Sequence, residues 1–208
     1  MKPVARVSVG LALIFLLAWA FAAEPAPAAK ADPAKGAAIA SGTCAACHTS
    51  DGSRGSAANP ILQGQHPDYL AKQLADFKSG KRASAIMKPI AAALGEADMK
   101  NVAAFYAGKQ AKPGFAKNKD LASLGERLYR GGATDRMIPA CSGCHSPNGA
   151  GIPAQYPRLA GQHADYAEAQ LVAFRSGARG NNAVMSGVAA KLNDREIKAL
   201  SDYIAGLR

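Results

Sequence analysis

Cysteine occurs four times in this 208-residue chain, and all four lie in two copies of one pentapeptide, Cys44-Ala45-Ala46-Cys47-His48 and Cys141-Ser142-Gly143-Cys144-His145. Two thiols at this spacing reach the two vinyl groups of one porphyrin and form thioethers, while the adjacent imidazole ligates the iron from the same side. The pattern is the attachment signal for c-type haem, and each copy supplies a proximal ligand, His48 or His145. Other cysteine chemistry fits less well. A zinc ribbon separates its pairs by roughly 15–20 residues, whereas Cys47 and Cys141 stand 94 positions apart. A thioredoxin-like pair follows a strand in a βαβ unit, but the stretches before Cys44 and Cys141 are rich in alanine and glycine. Two covalently attached haems are therefore expected.

The sixth ligand decides what such a haem does. Iron held only by histidine accepts exogenous ligands, and iron capped by a second protein ligand is suited to electron transfer. Met87 and Met185 are the candidates: Ala85-Ile86-Met87 matches Ala183-Val184-Met185, and the two methionines follow the first cysteine of their motifs by 43 and 44 residues. Both fall in stretches that read as loops before a helical segment. Met99 aligns with Ile197 at an apolar helix position and reads as core; Met137 has no counterpart and stands four residues before Cys141. His66 and His163 are paired rivals, each 18 residues after its proximal histidine at a helix start. Ligation by them would lower the potentials; structural or interface hydrogen bonding is the other role open to them.

The pairing of motifs belongs to a duplication. Asn59-Pro60-Ile61-Leu62-Gln63-Gly64-Gln65-His66 matches Tyr156-Pro157-Arg158-Leu159-Ala160-Gly161-Gln162-His163 at an offset of 97, and after one inserted residue Leu94 to Gly108 matches Leu192 to Gly206 at 98. Helical periodicity dominates both halves. Leu70, Leu74 and Phe77 recur at helical spacing between Pro67 and Gly80, with Ala167, Leu171 and Phe174 as equivalents, and Met99, Val102 and Tyr106 mark a last helix matched by Ile197, Leu200 and Ile204. Each half opens on a helix, capped by Asp32 before Pro33 in the first and with Asp120 as candidate cap in the second. The expectation is an all-α protein of two tandem domains, 35–108 and 120–208, joined by the polar, basic connection 109–119 that contains Pro113-Gly114. Domains this small have marginal cores, so the porphyrin must supply much of each.

Lys2 and Arg6, the apolar run Val7 to Ala20 and the site Ala20-Phe21-Ala22 read as a cleavable signal peptide over 1–22, with an uncleaved anchor as the alternative. An Ala/Pro-rich flexible leader, 23–34, follows. Export to a bacterial periplasm fits c-type haem attachment and removes nucleic acid as a partner for a basic chain. The formal charge of +10 falls by two, to +8, when Lys2 and Arg6 are removed. Lys109, Lys112, Lys117 and Lys119 gather in the connection, either as a solvated run or as a docking surface for an acidic redox partner.

From about Lys35 to Arg208 the pattern resembles the two-haem cytochrome c4 family, most clearly in Ile138-Pro139-Ala140-Cys141, Cys144-His145-Ser146-Pro147-Asn148-Gly149-Ala150-Gly151, Pro157-Arg158-Leu159-Ala160-Gly161-Gln162-His163, and Arg179 with Asn181-Asn182 before Met185. The resemblance implies two class I cytochrome c domains facing each other, with His/Met ligation by His48 and Met87 and by His145 and Met185. It implies a periplasmic carrier, often membrane-associated, that takes electrons in a respiratory chain from a donor such as a quinol-oxidising cytochrome complex toward a terminal oxidase. Pro60 and Pro157 match the proline whose carbonyl orients the proximal imidazole, and Gly36 and Gly125 match the glycine where first and last helices cross. Thr49-Ser50-Asp51-Gly52 departs from the Pro-Asn-Gly sequence that follows the second motif. Two other roles compete: the dihaem subunit of a periplasmic dehydrogenase such as a sulfide-oxidising flavocytochrome, and a dihaem peroxidase, which the matched methionines and short chain disfavour.

Mass spectrometry of the denatured exported protein should give a chain beginning near Ala23 plus two haems. A single haem, or haem released by acid-acetone, would contradict the attachment at Cys44, Cys47, Cys141 and Cys144.

Overall fold

The computed structural model describes residues 30–208, so the expected signal segment and most of the leader lie outside the described residues. The first half forms α1 (Pro33–Ile39), a π-helical turn (Ala40–Cys44), α2 (Ala45–His48), α3 (Pro67–Ser79), α4 (Met87–Ala92) and α5 (Glu96–Ala107). The second repeats the plan with α6 (Lys119–Gly131), α7 (Ser142–His145), α8 (Ala164–Ser176), α9 (Ala183–Ala189) and α10 (Asp194–Gly206). Among the described residues, β-structure is limited to two isolated bridges, Ala133 with Ile138 and Ile152 with Tyr156. This is the all-α, two-domain architecture.

Local chemistry explains most boundaries. Asp32 accepts from the amides of Ala34 and Lys35, and Pro33 opens α1 two residues inside the expected leader. Pro67 opens α3, and left-handed Gly80 ends it; left-handed Gly177 ends α8 in the same way. The start of α6 differs from expectation. Asn118, not Asp120, is the cap, its side chain accepting from Leu121 N–H, and Asp120 lies in the first turn. The selection is tertiary: both carboxylate oxygens of Asp202 on α10 accept backbone N–H groups, of Lys117 at 2.8 Å and Asn118 at 3.1 Å, fixing the chain's entry into the helix.

In each half the first helix crosses the last, α1 over α5 and α6 over α10, and the remaining long helix packs beside the last. Glycine makes both crossings possible. A Cβ on Gly36 would lie 2.1 Å from the Asn101 carbonyl oxygen, and one on Gly125 2.1 Å from that of Ala199. The cores differ in extent: nine buried residues, among them Leu128, Ile197 and Leu200, cluster in the second domain, but only Ala40, Leu70, Val102, Ala103 and Tyr106 in the first. The first domain therefore leans harder on its porphyrin for apolar contact.

Gly125→Ala should lower the second domain's stability by about 1–3 kcal/mol, the usual cost of forcing atoms into a packed contact. Gly131→Ala on the same helix, where an added Cβ meets nothing within 4 Å, should be close to neutral. Denaturant unfolding of the holoprotein followed at the haem absorption checks both.

Candidate haem-binding sites

α2 and α7 are single helical turns, which puts the two thiols of each motif one turn apart and the histidine at the turn's end. The chain then leaves abruptly. Thr49 (φ 61°, ψ 162°) and Ser146 (φ 68°, ψ 152°) occupy a region that favours glycine, at a cost of about 1–3 kcal/mol each. Local bonds hold them there. Thr49 Oγ1 donates to Asp51 Oδ1 at 3.0 Å, Ser146 Oγ donates to the Gly151 carbonyl at 2.9 Å, and the buried Tyr129 hydroxyl donates to the Ser146 carbonyl at 2.7 Å.

His48 Nδ1 lies 3.1 Å from the Pro60 carbonyl oxygen, and His145 Nδ1 3.0 Å from that of Pro157. A carbonyl only accepts, so each Nδ1 carries the proton and each Nε2 keeps its lone pair, the tautomer that iron ligation requires. Burial holds both imidazoles below the usual histidine range, against the opposite pull of the proline carbonyls. Burial also raises the Cys44 thiol and pushes Cys141 up to about 11, which disfavours the thiolate that a cysteine metal ligand would need. Among the described residues, no three His, Cys, Asp or Glu side chains cluster as a separate metal-binding group.

Met87 is the first residue of α4 and Met185 the third of α9, both half-buried, so the expected loops are short helix starts. The two are held alike. Met87 N–H donates to Ser84 Oγ at 3.0 Å and Met185 N–H to Asn182 Oδ1 at 2.9 Å. Met99 is buried core, and Met137 is an exposed residue at φ 53°. His66 and His163 turn to the other half of the molecule: His66 Nε2 donates to the Ala150 carbonyl at 2.9 Å, and His163 Nδ1 lies 3.5 Å from Arg54 Nη1.

These residues fit two porphyrins. At the margin of the first core Cys44, Leu62 and Leu74 stay partly exposed, and the equivalent Cys141, Leu159 and Leu171 line the margin of the second, giving each set of donors an apolar wall for a flat aromatic ring. When bound, each haem supplies a one-electron ferrous/ferric couple. The chain's own work is to fix the imidazoles and to shed water from the surrounding wall.

Between the halves lies a polar contact; the sequence suggests interface hydrogen bonding only for His66 and His163, yet glutamines and arginines carry most of it, and it follows the repeat. Gln65 donates to the Arg158 carbonyl at 2.9 Å and accepts from Arg158 N–H at 2.8 Å; its equivalent Gln162 donates to the Ile61 carbonyl at 3.0 Å and accepts from Ile61 N–H at 2.9 Å. Farther along, the equivalent Arg82 and Arg179, each 7% exposed, stack on Phe77 and Phe174 and cross over. Arg82 reaches Tyr166 and Gln170, and Arg179 reaches Tyr69 and Gln73. Two features break the symmetry. Arg54 donates to the Gly161 carbonyl at 2.6 Å from a position where the other half has glycine, and buried Asp76 accepts from Asn181 at 2.7 Å where the other half has alanine.

Comparison with known proteins agrees with this geometry. The Cytochrome c family model matches twice, at residues 33–110 and 122–208. Cytochrome c4 from Thiocapsa roseopersicina is 47% identical over 180 residues, 85% of this chain and 93% of that one. A protein of Stutzerimonas stutzeri (strain A1501) described as "Thiosulfate dehydrogenase electron acceptor" is 43% identical over 170 residues, 79% of this chain and 78% of that protein. The crystal structure of reduced recombinant cytochrome c4 from Pseudomonas stutzeri superimposes with a TM-score of 0.82 at 40% identity, covering 86% of this chain and all of that one. With two haem-attachment turns, two proline-anchored histidines and these likenesses over most of its length, the chain belongs to the cytochrome c family as a two-haem electron-transfer protein of the cytochrome c4 type.

Proposed function

We propose that this protein is a periplasmic carrier with matched His/Met sites, His48 with Met87 and His145 with Met185, moving electrons in a respiratory chain from a quinol-oxidising cytochrome complex toward a terminal oxidase. Its domains are 35–108 and 120–208, and it works at or near the membrane surface. The observation that carries the ligand assignment is the equivalence of the two methionines: each lies in the first turn of a short helix, with its amide held by the side chain three residues earlier. A chain that opened one haem to substrate would need no such matched pair. Export rests on the 1–22 segment; among the described residues no helix is long and apolar enough to cross a membrane.

A second reading has support of its own. The relative described as a thiosulfate dehydrogenase electron acceptor favours an acceptor partnered with a periplasmic dehydrogenase, the class in which a sulfide-oxidising flavocytochrome subunit also falls. Purification from the native membrane and periplasm separates the two. A stoichiometric dehydrogenase partner favours the second, and reduction by a quinol-oxidising complex with onward transfer to an oxidase favours the first.

Met87→Ala and Met185→Ala should each open one haem, lower its potential and let it bind carbon monoxide, leaving the other haem six-coordinate. The intact protein should show the weak near-infrared sulfur-to-ferric-iron absorption; if Met185→Ala leaves that absorption and both potentials unchanged, His163 becomes the ligand to test. Lys112, Lys117 and Lys119 are exposed in the connection, so association with an acidic partner should slow as ionic strength rises. Rates insensitive to salt would leave these lysines merely solvated.

A further inference from the structure

The two glutamines that join the halves act on particular peptide groups. The carbonyl of Pro60, which accepts from His48 Nδ1, and the N–H of Ile61, which Gln162 Oε1 accepts at 2.9 Å, belong to one amide. The carbonyl of Pro157, which accepts from His145 Nδ1, and the N–H of Arg158, which Gln65 Oε1 accepts at 2.8 Å, likewise belong to one amide. Each proximal histidine therefore heads a chain of hydrogen bonds that passes through a proline amide and ends on a side chain of the opposite domain.

An amide whose N–H is bonded is more polarised, and its carbonyl is a stronger acceptor; chains of this kind strengthen each member by about 10–30%. A stronger acceptor on Nδ1–H gives the imidazole more anionic character and makes Nε2 a better donor to iron, which favours the ferric state. The glutamines are themselves fixed. Gln65 Oε1 also accepts from His66 N–H at 3.0 Å and Gln162 Oε1 from His163 N–H at 2.9 Å, while each Nε2 donates to the carbonyl of the residue it clamps.

We infer that Gln65 and Gln162 are crosswise positioning residues, through which each domain sets the basicity of the other domain's proximal histidine and so lowers the potential of the other domain's haem. The inference rests on His48 and His145 as iron ligands. It predicts an effect that jumps the interface: a substitution in the second domain alters the first domain's haem, and the reverse.

The test uses the holoprotein. Gln162→Leu removes the acceptor for Ile61 N–H and should raise the potential of the haem on His48 alone, with a weaker Nδ1–H hydrogen bond seen as an upfield shift of the His48 Nδ1 proton in the reduced protein. Gln65→Leu should do the same to the haem on His145. Gln162→Glu keeps the acceptor and should hold the His48 potential at or below wild type, which keeps the test alive should the leucine variant fold poorly. Tyr69→Phe removes an interface bond to Arg179 that touches neither proline amide, and should move neither potential. Equal movement of both potentials, movement in the substituted domain's own haem, or no movement would overturn the inference. Strongly upfield, ring-shifted imidazole protons of His48 and His145 in the wild type report ligation itself. Their absence would overturn the site assignment, and their presence with unmoved potentials would overturn the glutamine role alone.

Discussion

An imidazole can ligate iron at a fixed angle only if its other nitrogen is tied down, and in this molecule one hydrogen bond per domain does that. The bonds from His48 to Pro60 and from His145 to Pro157 span 12 residues each and close a loop over the haem-attachment turn. The backbone around them is arranged to let them form. Thr49 and Ser146 accept an unfavourable φ immediately after the histidine, which turns the chain so that the proline returns beside the ring. Gly52 and Gly149 then accept at the same place in each loop, their carbonyls taking the N–H groups of residues 62–63 and 159–160. Proline at that position has no N–H to satisfy, and its carbonyl accepts from the histidine.

The duplication supplies the second theme. Several residues that face the partner half have kept their chemistry in both copies, notably the two glutamines and the two buried arginines, because a pseudo-twofold contact asks the same question of both surfaces. Other positions have drifted, within the contact as well as in the cores. Arg54 and Asp76 are present in one copy only, and the core of the first domain is smaller than that of the second. The drift leaves one cation and one anion in the contact without a counterpart in the other copy, although the His48–Pro60 and His145–Pro157 bonds match.

The long helices were readable in the sequence because their apolar periodicity is strong and their ends carry proline and glycine, as at Pro67 and Gly80. The helices that carry Met87 and Met185 were not: six or seven mostly apolar residues, with Lys88 and Ser186 the polar ones, hold no polar period, while the side chains of Ser84 and Asn182 hold the methionine amides and the helices pack against α3 and α8. Asp120 and Asn118 are both plausible caps by residue type, and the choice between them is made by Asp202, 82 positions beyond Asp120. The haem donors were legible because covalent attachment demands one spacing. The clamp was visible as a repeated Gly-Gln-His, but what those glutamines touch depends on how the halves meet, which no single repeat encodes.

The connection between the domains has a consequence for how strong their contact must be. It reads as a loose basic tether, yet its backbone is pinned to Asp202 at one end, and Gly114 is buried so closely that a Cβ would fall 2.3 Å from the Ala205 carbonyl. A short, anchored link holds its two ends at an effective concentration of about millimolar. Polar surfaces that would drift apart as separate chains then stay docked with only weak intrinsic affinity. Selection is thereby free to keep hydrogen-bonded glutamines and arginines in the contact, where an untethered dimer would need a broad apolar seal.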